Sequence, residues 1–265
     1  MNRTERIIIT MVLTLCALLS VLVILLLSLP YLRGASPTVV TRHYPAFLET
    51  LPLRLFSTII HALVLLASGA SISLLIRKSN YPEFTFYIFG LLSYAGIGIL
   101  HGAPLIIIAG GAVPSAAVLL RLFYFFWMFG TICFFIAGLF PNGMPNLKQQ
   151  ILFFTALVSS AAVVTTVPID IHNLLGKFPY TYSWEGTLSL FIRGFSVLAV
   201  CNFLAAGSRT SSPRFFAAGG GILLILAGNE LFFMLTTFTA LLSILLFIAG
   251  TILFGFMMYR EYMWS

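Results

Sequence analysis

Six side chains that are costly to place in lipid fall inside long apolar runs of this sequence: Arg54, His61, His101, Arg121, Arg193 and Glu230. Ionisable groups in such runs mark ligand sites, ion or proton paths, or paired structural contacts. Glu230 reads as the one acid within a run, with Arg121 and Arg193 as candidate partners. An Arg–Glu pair there would either lock helices together or form the floor of a binding pocket. His61 and His101 lie on different runs, a placement that can ligate haem iron. However, the chain shows no recurring paired histidines and no thiolate-rich metal motif. No metal and no cofactor is therefore expected, and both histidines are read as pocket lining or hydrogen-bonded helix contacts. Arg54, Asp170, His172 and Glu185 sit at or beyond the ends of runs and form the expected pocket rim.

Other chemistries lack their residues. A retinal Schiff base needs a buried lysine, but Lys78, Lys148 and Lys177 all fall between apolar runs. There is no GxxxxGK[ST] phosphate loop and no G-x-S-x-G nucleophile motif. Intramembrane aspartyl chemistry needs two acids at depth, and only Glu230 qualifies on this reading. No residue is assigned a catalytic role, and a non-enzymatic protein is the expected class.

The elements that would position these groups follow from composition. Of 265 residues, 60% are hydrophobic and 8% charged, against roughly 25% charged in soluble domains. So few charges cannot clothe a water-facing surface, and lipid must be the main solvent. Only helices and closed barrels satisfy backbone groups there, and the apolar runs are too long for barrel strands. The expected fold is all-α: a polytopic transmembrane helix bundle of about eight spans, near 7–29, 52–76, 84–105, 115–140, 151–168, 186–206, 214–232 and 237–259.

Prolines and basic residues punctuate these spans. Pro30 closes the first, and Arg77, Lys78 and Pro82 part the second from the third. Pro104, Gly110, Gly111 and Pro114 are read as the next turn, and Pro141 to Pro145 as the one after. The last turn is placed near Thr236 and Thr237, or after Glu230. Residues 1–30 read as an anchor helix, 31–51 as a short extracytoplasmic loop, and 52–265 as a seven-helix bundle. Cys16, Cys133 and Cys201 lie in apolar stretches, so no disulfide is expected.

Orientation follows from the loop charges. With an inside N-terminus the inner segments hold Arg3, Arg6, Arg77, Lys78, Lys148, Arg209, Arg214 and Arg260, and the outer loops only Arg33, Arg42 and Lys177. Basic residues favour the cytoplasmic side, so both termini are expected inside, in a cell inner membrane. The net charge of +7 is read as topology signalling and affinity for lipid headgroups, with no nucleic acid as partner. In this topology the six embedded groups fall in the outer half, implying a polar pocket open to the extracytoplasmic side and an inner half almost free of titratable groups. Gly98 with Gly102, and Ala217 with Gly221, have the four-residue spacing that lets helices approach closely, here read as packing within one chain.

Residues 52–259 resemble the membrane module of bacterial seven-transmembrane receptors with diverse intracellular signalling modules. The resemblance rests on the basic turn Arg77-Lys78-Ser79-Asn80 followed by Phe84, Phe86 and Tyr87, on Arg214-Phe215-Phe216 after a second basic loop, and on an outside start and inside finish. It implies a sensor or receptor. Such receptors carry a sensory domain before the seven spans and an output domain after them, whereas this chain has an anchor helix before and six residues after Tyr259. The resemblance therefore implies a separate protein partner that supplies output or enzymatic function. A transporter or permease component and a haem- or quinone-binding redox subunit are the alternatives. A lipid-modifying enzyme using the outer His, Asp and Glu groups is a third.

Overall fold

A computed structural model describes residues 3–32, 49–75, 81–109, 111–143, 148–166, 185–234 and 236–263. All regular structure among them is helical. The elements are α1 (Arg3–Leu32), α2 (Leu51–Leu75), α3 (Pro82–Ala95), a 3₁₀ helix (Ile97–His101), α4 (Gly102–Ile108), α5 (Val113–Leu139), α6 (Gln149–Thr166), α7 (Glu185–Thr210), α8 (Pro213–Met234) and α9 (Thr237–Met263). Among the described residues, eight helices are long and apolar enough to cross a membrane, the third being α3, the 3₁₀ helix and α4 together. The chain is therefore a multi-pass membrane protein.

The third span is the axis of the bundle. Of its most apolar stretch 94% is buried, against 22% for α1 and for α6. α1, α2 and α5 pack around it, and α7, α8 and α9 complete the bundle beyond α5 and α2. α6 packs chiefly on α5 at the periphery. Because lipid tails are as apolar as leucine, this order must come from shape and hydrogen bonds. Aromatic packing supplies much of the shape: Tyr87 stacks on Phe254 at 3.7 Å, and Phe123, Trp127 and Phe233 interlock. The aromatic run of α5 is thus core, with Phe123, Tyr124, Phe126, Trp127 and Phe129 all buried.

α8 and α9 form the most extensive helix pair, and glycine is the cause. A Cβ at Gly250 would lie 2.5 Å from the Gly221 carbonyl oxygen, and one at Gly221 would lie 2.8 Å from the Gly250 oxygen. The backbones touch, as small residues allow in membranes. The turn between them is closed by a reciprocal cap: the Thr239 N–H donates to Thr236 Oγ1 at 3.1 Å, and the Thr236 N–H donates to Thr239 Oγ1 at 3.0 Å. Gly98 and Gly102 also pack within the chain. Because the backbone is 3₁₀ there, they meet different neighbours, Gly98 facing Thr58 of α2 and Gly102 facing Leu119 of α5.

Two ends can be named. The near end, where α1 begins, also holds the end of α2, the start of α3, the α7–α8 turn and the end of α9. Glu5 of α1 accepts from Gln150 of α6 at 2.8–2.9 Å, Arg209 donates to the Asn142 carbonyl at 2.6 Å, and Arg214 pairs with Glu261 at 3.1 Å. The far end holds the start of α2 and the α8–α9 turn.

Candidate functional site

The six embedded groups separate into two settings. Arg54, His61 and His101 are buried inside the bundle. Arg121, Arg193 and Glu230 face outward on α5, α7 and α8. The structure brings Arg54, His61 and His101 together and joins Arg193 to Glu230, which also lies within electrostatic reach of Tyr94, while Arg121 lies on an exposed face of α5. On spans apolar all round, sequence fixes depth but not facing.

The buried setting is built around a break in the third span. Pro104 has no N–H to bond the carbonyl four residues back, and its ring crowds that carbonyl. The chain accommodates it by ending α3 at Ala95, passing through Gly96 and a 3₁₀ turn, and restarting as α4 at Gly102. Pro104 then occupies the first turn of a new helix, where no such donor is required. A side chain at Gly96 would collide with the Phe126 ring, 2.9 Å from its Cβ position. The break lies roughly 18–20 Å from the near end by helical rise, about midway through the span.

α2 supplies the side chains that meet it. Arg54, Thr58 and His61 recur at helical spacing on one face, all buried. His61 Nε2 lies 3.0 Å from the Tyr94 carbonyl oxygen. A carbonyl only accepts, so Nε2 carries the proton and Nδ1 keeps a lone pair. The ring is held on both sides, stacked on Phe232 of α8 at 4.3 Å and edge-on to Phe247 of α9 at 4.7 Å. His101 sits beside the same Phe232, with ring centroids 5.9 Å apart. Arg54 donates from Nε to Thr50 Oγ1 at 2.9 Å, and both Arg54 and His61 are within electrostatic reach of His101. Among the described residues, His61 Nδ1, both ring nitrogens of His101, Thr58 Oγ1 and Asn229 Oδ1 make no hydrogen bond. Buried polar atoms are ordinarily satisfied, so His61, His101 and Thr58 retain unused hydrogen-bonding capacity inside the bundle. No group of three or more His, Cys, Asp or Glu placed to hold a metal occurs among the described residues.

The outward setting is an ion pair. Arg193 of α7 meets Glu230 of α8 in a two-pronged contact, Nε to Oε1 at 3.1 Å and Nη2 to Oε2 at 2.7 Å. Their side chains are 44% and 35% exposed. The partner of Glu230 in this contact is Arg193, and Arg121 lies on an exposed face of α5. Arg193 and Glu230 each lie 17 residues from their ends of the α7–α8 turn, so antiparallel pairing brings them level. Asp170 and His172 lie outside the described residues, as does the side chain of Glu185.

Several polar groups escaped the sequence reading. Glu83 in the first turn of α3 is 4% exposed, so among the described residues it, and not the half-exposed Glu230, is the buried acid. Its neighbour Pro82 made it read as loop, whereas proline opens the helix there. Asn142 and Asn202 tie α5 to α7: Asn142 Nδ2 donates to the Asn202 carbonyl at 2.6 Å, and Asn202 Nδ2 to the Phe135 carbonyl at 3.2 Å. At the same near end Arg209, Arg214 and Glu261 make polar contacts, Arg209 and Arg214 being among the basic residues expected there. Cys16, Cys133 and Cys201 carry free thiols on α1, α5 and α7. Comparison with known protein families, curated proteins and solved structures found no match.

Proposed function

We propose that this chain is a non-enzymatic sensor or receptor-like membrane protein, or the membrane subunit of a larger assembly, whose responsive element is the break in its third span. One observation carries this reading: a buried histidine of α2 holds the carbonyl next to a helix break, with further unsatisfied polar groups around it. The two halves of a broken helix can meet in more than one arrangement. A guest that binds one better than the other shifts the balance between them. The basic residues of the near end favour a cytoplasmic position for it in an inner membrane; in that orientation His101 lies about 10 Å from the extracytoplasmic end of its span by helical rise. Lipids surround the bundle, and the resemblance of residues 52–259 to bacterial seven-transmembrane receptors adds that output passes to a separate protein.

Gentle extraction from native membranes, followed by mass spectrometry of what co-purifies, tests this reading. A stoichiometric protein partner whose association changes in His61→Phe is the expected result. A solitary protein whose state is insensitive to His61→Phe contradicts it. A transporter or permease component is the second reading, favoured by the same break, since discontinuous spans near mid-membrane build substrate sites in transporters. Solute uptake by vesicles holding the purified chain alone would select it.

A further inference from the structure

A hydroxyl inside a membrane span is ordinarily satisfied by turning back onto its own helix. Ser73 of α2 does so, donating to the Gly69 carbonyl oxygen at 2.7 Å, and Ser196 of α7 likewise donates to the Ile192 carbonyl oxygen at 3.1 Å. Three hydroxyls that do not turn back stand in the walls of one cleft. Among the described residues, Ser68 and Ser71 of α2 and Thr251 of α9 make no hydrogen bond. The cleft has a volume of about 700 Å³ and opens between α2 and α9, where the run Ala67-Ser68-Gly69-Ala70-Ser71 keeps α2 slender. Val64, Ile248 and Ile252 supply apolar wall, and Phe256 and Tyr259 flank the near-end mouth. Thr251 is 7% exposed and stands at the floor, beside the buried Tyr87 hydroxyl, which also makes no hydrogen bond.

We propose that this cleft binds the head of a membrane quinone, an uncharged flat ring whose carbonyl oxygens accept from the Ser68 and Ser71 hydroxyls. Charge argues against an ionic head, because no Asp, Glu, Lys, Arg or His is among the described residues that line the cleft. Hydrogen bonding calls for acceptors, because a hydroxyl without one leaves its proton unused in a medium that holds no water. Depth separates a quinone from a glycerolipid. Ser68 lies about 10 Å from the Leu75 end of α2, and Thr251 about 12 Å below Tyr259 of α9, by helical rise. Glycerolipid ester carbonyls stay at the border of the hydrocarbon core, roughly 15 Å from its middle, whereas a quinone head dissolves within the core. The walls agree with this guest. Phe256 and Tyr259 offer aromatic surface to a planar head, and the branched side chains offer apolar surface to its tail.

The test is photolabelling of the full chain in phosphatidylcholine nanodiscs with an azido derivative of decylubiquinone, read by peptide mass spectrometry. Label is expected on residues 64–72 of α2 and 248–259 of α9, and unmodified decylubiquinone should compete it away. Dodecylbenzene, with a ring and a tail but no carbonyl, should not compete. Nor should dioleoylglycerol, whose carbonyls are esters. Ser68→Ala combined with Ser71→Ala should raise the decylubiquinone concentration for half-competition about ten-fold, the worth of two weak hydrogen bonds. Label spread evenly over the lipid-facing helices overturns the proposal. So does competition by dodecylbenzene or dioleoylglycerol equal to that of the quinone, or an unchanged half-competition in the double variant. Because the competition by dodecylbenzene needs no variant, it decides the matter even if the double variant fails to fold. None of these outcomes depends on whether the chain is a sensor.

Discussion

His61 and Tyr94 are joined across two helices by one hydrogen bond, from the imidazole Nε2–H to the backbone oxygen, at 3.0 Å. It fastens α2 to the point where the central span changes from α to 3₁₀. Without the His61 donor, that carbonyl loses an outside partner in a region sealed from water.

His61→Phe keeps the ring between Phe232 and Phe247 but removes the donor. The expected cost is about 1–3 kcal/mol, the range for a buried group left short of a partner. Denaturant titration of the purified protein in detergent measures it. A variant as stable as the wild type would show that the bond contributes nothing.

Glycine positions are expected to divide sharply. Gly250→Ala forces a Cβ into the Gly221 carbonyl oxygen and should reduce folded yield and thermal stability severely. At Gly194 of α7 nothing lies within 4 Å of an added Cβ. Gly194→Ala should therefore be neutral or stabilise by up to about 1 kcal/mol. Melting temperatures of the two variants, compared by size-exclusion assay, check the contrast.

The Arg193–Glu230 pair lies on the flanks of membrane-spanning helices, where exposure is to lipid more than to water, so its coupling should exceed that of a solvated surface pair. A double-mutant cycle with Arg193→Leu and Glu230→Leu is expected to give more than about 1 kcal/mol. A smaller coupling would show that water reaches both side chains.

How much of this was legible in the sequence depends on what sets each feature. The spans were readable because bilayer thickness dictates their length and because Pro82, Pro114 and Pro213 stand at or next to helix starts, where proline fits. The last turn falls where Thr236 was read, and its cap explains why no proline is needed. Pro104 was misread as the end of a span. It is the reason the span breaks one turn earlier and resumes to Ile108. The facing of Arg54, Arg121 and Arg193 was not readable, since helices surrounded by apolar neighbours show no stripe to orient them. The buried Glu83 was hidden for a related reason: it lies at a span boundary, where an acid looks solvated until packing covers it.

Topology gives a further expectation. Reporter fusions at Ser212 should fall on the same side as the N-terminus, and fusions at Thr236 on the opposite side, because α7, α8 and α9 alternate in direction. With the basic residues of the near end, the Ser212 side is expected to be cytoplasmic. Both reporters on one side would refute the eight-span order.

A histidine fastens the broken central span, and solid-state NMR in lipid bilayers examines that contact directly. With ¹⁵N-labelled histidine and a ¹³C-labelled carbonyl at Tyr94, His61 should show a protonated Nε2, a bare Nδ1, and a dipolar coupling corresponding to about 3 Å between Nε2 and that carbonyl. A His61 ring in fast exchange with water and uncoupled from the Tyr94 carbonyl would contradict it.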